Sequence, residues 1–405
     1  MFYQIVLFLF LALALWLLYS YLKERKYRKK PFYALADVGW RTISPPPRED
    51  RVHSIALVGD LGKAGPLGED GVMDTIAFWM QEAGQDSTII FLGDNIYPNG
   101  VPPEGSFKRT AALQKLQHQL DLLKTYPGKA IYLSGNHDWN KGRKDGYDYV
   151  LRQEKIITEQ LGDPTAYLPP AGSLGPVTVE VNDQFLIVVI NTQWWVQAGF
   201  KPLDSGNGSK YSNPKEFFPA LEAVLEANEN RFILLAAHHP MYSNALHGGK
   251  FTVKQQLFPL TFIHKKAYVP LPIMGSLFRI YRKYIGAHED MSFPPFKKFR
   301  KRLLKVFNKH QAIFYVAGHD HNLQYFKVKG NHFAVSGSGS KTNFVAKGGK
   351  ASFSHESKGF MVLDQYKDGT VWLRVLEPPV NASEPPYLMF QKCIYSPEAK
   401  SIPAR

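Results

Sequence analysis

Short apolar runs recur along the chain, at Ile55 to Val58, Thr88 to Leu92, Ala130 to Leu133, Phe185 to Ile190, Phe232 to Ala236 and Ile313 to Val316. They are rich in β-branched and aromatic residues and carry little polar alternation, the pattern of strands buried on both faces. Between them, Met73 to Ala83, Thr110 to Tyr126 and Pro214 to Asn228 place apolar residues three and four apart, which predicts amphipathic helices. Alternating strands and helices predict an α/β domain with parallel strands. From Leu323 to Leu376 the pattern changes to short strands separated by Gly, Asn and Asp-Gly turns, Lys367-Asp368-Gly369 among them.

The N-terminus differs. Phe2 to Leu22 is an uncharged apolar stretch, long enough as a helix to span a hydrocarbon core of roughly 30 Å. Tyr3, Trp16, Tyr19 and Tyr21 lie towards its ends, where aromatic rings favour the membrane interface. A cleaved signal peptide is the alternative, with Ala12-Leu13-Ala14 as small residues. The lack of a basic leading segment and the apolar run beyond Ala14 favour an uncleaved anchor. The flanking bases all follow the span, which predicts that the following domain lies on the cytoplasmic side, with the extracytoplasmic side as the alternative. The sequons at Asn207 and Asn381 carry no weight, since such triplets arise by chance.

Charge sharpens this picture. The net charge is +14 over 405 residues, but Lys23 to Lys30 holds +5 and Thr261 to His310 holds +10, leaving −1 for the rest. Two basic patches, one beside an apolar anchor, fit an anionic membrane better than nucleic acid. A lone cysteine, Cys393, excludes an intrachain disulfide and a cysteine metal cluster. The expected organisation is an anchor (1–22), a basic juxtamembrane linker (23–51), a folded domain (52–380) with an insertion at about 258–310, and a tail (381–405).

The chemistry lies at the ends of the runs. Val58-Gly59-Asp60, Leu92-Gly93-Asp94-Asn95-Ile96-Tyr97, Ser134-Gly135-Asn136-His137-Asp138, Ala237-His238-His239-Pro240 and Ala317-Gly318-His319-Asp320-His321 each follow a predicted strand. In parallel α/β sheets functional groups gather at the carboxyl ends of strands. Oxygen and imidazole donors without cysteine suit iron, manganese or zinc.

These five motifs, in this order, resemble the calcineurin-like metallophosphoesterases, and more closely the small tartrate-resistant type of purple acid phosphatase. The superfamily mostly opens with Asp-x-His, whereas this chain has Asp60-Leu61-Gly62. The purple branch uses a tyrosine three residues after its second aspartate, and Tyr97 stands there. The resemblance implies a four-layer α-β-β-α sandwich of two mixed β-sheets. It implies two metal ions: Fe(III) on Asp60, Asp94, Tyr97 and His321, and Fe(II), Zn or Mn on Asp94, Asn136, His238 and His319, with Asp94 bridging. His137 matches a histidine that contacts substrate phosphate, and His247 a second active-site histidine. The family's acid beside the latter is replaced by Leu246; if His247 acts alone as the acid, the pH optimum and leaving-group preference are expected to differ.

The resemblance implies hydrolysis of a phosphate monoester. The same centre serves phosphodiesterases and pyrophosphatases acting on lipid- or nucleotide-linked phosphates, and a membrane-tethered binding protein without turnover is the non-enzymatic alternative. Oligomeric state is not legible. Asp138 and Asp320 are expected to orient neighbouring histidines, and His239 to support its loop. Trp194 and Trp195 read equally as a substrate groove or a structural pair, and Gly337 to Gly339 as a strand end near the site. Within the insertion, Phe296 to Phe307 mixes bases and apolar residues at helical spacing, which reads equally as an interfacial helix or one packed on the body.

Overall fold

The computed structural model describes residues 1–264, 266–381 and 384–397. The first half runs α1 (Phe2–Tyr27), β1 (Phe32–Tyr33), β2 (Arg51–Val58), α2 (Gly71–Ala83), β3 (Ser87–Phe91), α3 (Arg109–Leu123), β4 (Lys129–Tyr132) and α4 (Gly146–Leu161). There follow β5 (Val177–Asn182), β6 (Phe185–Val189), α5 (Phe217–Ala227), β7 (Phe232–Ala236), α6 (Val253–Leu257), α7 (Pro272–Tyr284) and α8 (Pro294–Phe307). The chain then runs through β8 (Ile313–Ala317), β9 (Leu323–Val328), β10 (Asn331–Ser336), β11 (Ala351–His355), β12 (Phe360–Tyr366), β13 (Val371–Glu377) and β14 (Tyr387–Tyr395).

Two mixed sheets result, in the orders β1-β11-β9-β10-β8-β7-β6-β5 and β14-β13-β12-β2-β3-β4. Parallel pairing joins β2, β3 and β4 in one sheet and β6, β7, β8 and β10 in the other. Because side chains alternate across a strand, each apolar run feeds two layers. In β7, Phe232, Leu234 and Ala236 enter the core between the sheets, while Ile233 and Leu235 join the outer core with α5 and α8. In β2, Ile55 and Leu57 face the other sheet, and Ala56 and Val58 meet α2 to α4. Burying each large side chain stabilises by roughly 1.5–3 kcal/mol, which explains why neither face tolerates polar residues. The expected four-layer sandwich is the fold.

Several boundaries differ from the sequence reading. Residues 23–51 are not a free linker: α1 continues to Tyr27, β1 pairs with β11, and Trp40 is buried edge-on to Phe390. The expected tail supplies β14, which extends the six-stranded sheet beside β13; residues 398–405 of that tail, and Ala382 and Ser383 of the second sequon, lie outside the described residues. The helix α4 and strand β5 lacked an apolar run and were not expected. The Phe296 to Phe307 helix packs on the body: Phe296, Phe299, Leu303 and Phe307 of α8 are buried in the outer core.

The helix α1 is long and apolar enough to cross a membrane, about 39 Å at ~1.5 Å per residue, and its apolar span is exposed. Such a helix serves either as an anchor or as a signal sequence.

Candidate metal centre

The carboxyl ends of the parallel strands of both sheets meet at one edge, and all five motifs lie there. Asp60 follows β2, Asp94 and Tyr97 follow β3, Asn136 and His137 follow β4, His238 follows β7, and His319 and His321 follow β8. The backbone turns sharply to bring these side chains inward: Asp60, Asp94 and His319 all adopt positive φ, at 61°, 56° and 71°. Non-glycine residues in that region store strain that the surrounding structure must hold, and such strain clusters at functional sites. Two glycines make room. A Cβ on Gly93, itself at φ 87°, would lie 2.7 Å from His238 Nδ1, and one on Gly318 would lie 2.5 Å from Asp60 Oδ2.

On one side of the centre, Tyr97 Oη donates to Asp60 Oδ1 at 2.7 Å and to Asp94 Oδ2 at 3.0 Å as alternatives, and lies 3.1 Å from His321 Nε2. On the other, Asn136 Oδ1 lies 3.0 Å from His238 Nε2 and 3.1 Å from His319 Nδ1. The outer nitrogens settle the tautomers. His238 Nδ1 donates to the Leu92 carbonyl at 2.8 Å, and His319 Nε2 to the Glu289 carbonyl at 2.8 Å. Asn136 uses its Nδ2 on Glu289 Oε1 at 3.0 Å. In the neutral imidazoles the inward nitrogens are therefore bare, and four lone-pair atoms face one another: Asp94 Oδ1, Asn136 Oδ1, His238 Nε2 and His319 Nδ1. Lone pairs aimed together in a buried site repel unless a cation lies among them, so the donor set fits a metal.

The electrostatics agree. Asp60 and Asp94 are buried side by side. Burial first, then the charge of Asp94, pushes Asp60 up to about 7. Burial opposes ionisation of Asp94 too, but His137 and His238 outweigh it and hold its carboxyl below the usual range. Burial, then the two carboxylates, raises the Tyr97 phenol far above its ordinary value. Burial keeps His319 neutral, and burial followed by the Lys341 charge draws His321 down to about 3. These are neutral or reluctant donors around an anionic pair, the arrangement a cation would stabilise.

The structure thus brings Asp60, Asp94, Tyr97, Asn136, His238, His319 and His321 together. His137 stands at the rim, its Nδ1 donating to the Pro98 carbonyl at 2.6 Å and its Nε2 3.8 Å from Asp94 Oδ2. The His247 ring centroid is 4.2 Å from that of His319. His247 has a carboxylate beside it despite Leu246: its Nδ1 lies 3.2 Å from Asp290 Oδ1. Asp290 is buried, paired with Arg282, and comes from the insertion. Burial lowers the His247 pKa, but the bond to Asp290 and the charges of Asp320, Asp290 and Glu289 outweigh it, and the imidazole titrates above its ordinary value. Glu289 and Asp290 were legible in one respect, as two acids in a stretch otherwise full of bases. Lys341 was missed entirely; its Nζ lies 3.1 Å from the Tyr97 ring centroid.

Other expectations divide. Asp138 accepts from the Gly135 and Asn95 backbone, and Asp320 from Ser243 Oγ and the His247 backbone, so neither orients a ring; main-chain carbonyls hold His137, His238 and His319, and the Asn343 side chain holds His321. His239 is held by Thr192, with Nδ1 2.9 Å from Oγ1. Its ligand atom also groups with those of His238 and His319, and burial pulls its pKa well down. Trp195 stacks on Phe299 at 4.7 Å, which makes the tryptophan pair structural. Gly337 does approach the site, since a Cβ there would lie 2.9 Å from Asp60 Oδ2.

Comparison with known proteins gives a coherent result. A model of the calcineurin-like phosphoesterase family matches residues 53–323. No curated protein sequence matches the chain. Among solved structures it is similar to GAP50, described as the anchor in the inner membrane complex of Plasmodium, at 14% identity and TM-score 0.52, covering 85% of this chain and 89% of that one. It is also similar to purple acid phosphatase PPD1 from yellow lupin (Lupinus luteus) seeds, at 15% identity and TM-score 0.48, covering 86% and 54%. PhoD gives 10% identity and TM-score 0.47, covering 85% and 70%.

Proposed function

This chain belongs to the calcineurin-like phosphoesterase family, and from that premise we propose that it hydrolyses phosphate monoesters at a binuclear centre of the purple acid phosphatase type. Asp60, Asp94, Tyr97 and His321 would hold one ion, and Asn136, His238 and His319 the other, with Asp94 available to both. The observation that carries this reading is the cage of inward lone pairs whose N–H groups are already committed to outer carbonyls. When bound, such ions would supply Lewis acidity that polarises a phosphoryl group and lowers the pKa of a coordinated water. The Tyr97 site suits Fe(III), since a phenol oxygen beside two carboxylates forms a hard oxygen donor set that favours a strong Lewis acid. The nitrogen and oxygen donors of the other suit Fe(II), Zn or Mn.

The chain's own residues do the rest. Tethered to the Pro98 carbonyl through Nδ1, His137 turns Nε2 to the centre, where an N–H on that nitrogen donates to the substrate phosphate. His247 donates the proton that the leaving oxygen needs. Asp290 accepts from its Nδ1, which fixes the ring and favours the imidazolium, while Arg282 keeps Asp290 ionised. The insertion so restores the acid–histidine pair that Leu246 had removed from the motif.

We read α1 as a retained anchor, with the catalytic domain cytoplasmic. Its polar end is built into the fold, as Glu24 accepts from the Val253 backbone at 2.9 Å and Arg28 pairs with Glu356 at 2.6 and 2.9 Å. Cleavage at Ala12-Leu13-Ala14 would leave Leu15, Leu18 and Leu22 attached to this rigid end and exposed to water, whereas a retained span covers them with lipid.

The test is metal analysis with parallel assays on an aryl phosphate monoester and the matching diester. Two ions per chain with faster monoester turnover are expected. Faster diester turnover would mark a phosphodiesterase, and two bound ions with neither ester cleaved would mark a tethered binding protein.

A further inference from the structure

We propose that α7 is a second membrane element, resting with its outward face in the headgroup–acyl boundary of an anionic bilayer and presenting the metal centre to phosphorylated lipid. The proposal rests on the reading of α1 as an anchor, and on one physical anomaly: α7 turns an apolar stripe outward while much of its polar chemistry faces the body. Its exposed face carries Ile273 (78% exposed), Leu277 (61%), Ile280 (55%) and Tyr284 (60%), spaced four, three and four residues apart along one stripe. Its inward face is mixed: Phe278 packs on Phe251 and Phe262 beside several polar groups. Ser276 Oγ accepts from Gln256 Nε2 at 2.9 Å, Arg279 Nη1 donates to Gln256 Oε1 at 3.3 Å, and Arg282 is buried against Asp290. A helix facing water shows the reverse arrangement. Contiguous exposed apolar surface of this kind marks an interaction site.

The occupant follows from what lies beside it. The helix α7 packs on α6, and α6 packs on α1. Between α1 and the insertion runs an apolar cleft of about 470 Å³, lined by Leu17, Leu18 and Tyr21 of α1 and by Leu257, Phe258 and Tyr268. Ile263 and Val269 of the same insertion are exposed as well. The apolar stripe therefore continues the surface of the spanning helix, and the solvent for both is lipid. Charge fits an anionic leaflet, since the surrounding stretch from Thr261 to His310 carries +10. At its C-terminal end α7 leads directly to Glu289 and Asp290 at the centre. There a cleft of about 320 Å³ opens beside His247, with Lys283, Lys297 and Arg300 in its walls. This places cationic groups for a lipid headgroup between the bilayer contact and the proton donor.

The test uses the full chain with Cys393→Ser as background and one new cysteine each in Leu277→Cys, Leu9→Cys and Phe107→Cys. Each carries an environment-sensitive fluorophore and is reconstituted in phosphatidylcholine–phosphatidylserine vesicles with doxyl-labelled acyl chains. Lipid quenching at position 277 comparable to position 9, and none at position 107, is expected. Quenching at 277 by aqueous iodide alone overturns the proposal. A label at 277 shielded from both quenchers also overturns it, in favour of a second copy or another protein. Loss of lipid quenching at position 9 sinks the anchor reading separately, whatever position 277 reports. In a second arm, Ile273→Ser combined with Leu277→Ser lowers turnover of a phosphorylated lipid in vesicles about tenfold or more and leaves a soluble aryl phosphate unchanged. Equal effects on both substrates refute lipid presentation.

Discussion

Asp290→Asn keeps the shape of the side chain and removes its charge. Asp290 is 1% exposed and accepts from both Arg282 nitrogens, from the Ala287 backbone at 2.8 Å and from His247 Nδ1 at 3.2 Å. Burial alone would lower the His247 pKa; the bond to Asp290 and three carboxylate charges reverse it. Without Asp290 the burial effect regains ground and the imidazole titrates lower. The protonated form is the proton donor, so the alkaline limb of kcat moves to lower pH, each unit costing a factor of about ten in donor above it. General acid catalysis contributes about 10²–10⁴-fold, so kcat for an alkyl phosphate falls about 10²-fold, whereas p-nitrophenyl phosphate, whose leaving group departs unprotonated, loses less than about tenfold. The same raised pKa stabilises the fold below about pH 6.5, an effect lost as pH rises through the folded value and absent from the variant. Stranding Arg282 costs about 3–5 kcal/mol, so Asp290→Asn combined with Arg282→Met serves as a control that removes the unpaired charge. Equal losses on both substrates with an unmoved alkaline limb, in both variants, would refute a role in proton transfer.

Three further outcomes follow from the same geometry. Tyr97→Phe retains bound metal by elemental analysis but loses any visible tyrosinate-to-iron absorption; an unchanged spectrum refutes Tyr97 as a ligand. Gly93→Ala, whose Cβ would lie 2.5 Å from the Gly135 backbone nitrogen, costs about 2–4 kcal/mol in denaturant unfolding and reduces metal stoichiometry. Gly68→Ala, at φ 85° in open space, costs only about 1 kcal/mol, and equal losses would show that crowding at the centre is unimportant. In metal-free protein, the folded Asp60 binds its proton up to about pH 7 and the unfolded one only to about 3.8. Wild type therefore loses stability relative to Asp60→Asn as pH rises across that window, and a melting-temperature difference independent of pH would contradict the buried pair.

The chain alone determined a good deal. Apolar runs marked β2, β3, β4, β6, β7 and β8 because burial on both faces admits no polar residue, and the donors at their ends were visible as short motifs for the same local reason. A buried strand and the turn after it are local objects, so their residues lie side by side in sequence. What stayed hidden was long-range. The amphipathic pattern of Phe296 to Phe307 cannot say whether its apolar face meets lipid or protein, and only the packing of α8 against Phe217 and Leu221 decided that. Pairing of β14 with β13, burial of Trp40 and the approach of Lys341 to Tyr97 each join segments far apart in the chain. Asp290 is the clearest case. It lies 43 residues beyond His247 within a basic insertion, and nothing in its neighbours points to an imidazole. Local physics writes strands and ligands into adjacent residues; which distant carboxylate pairs with a histidine is settled only when buried charges must find partners in the folded chain.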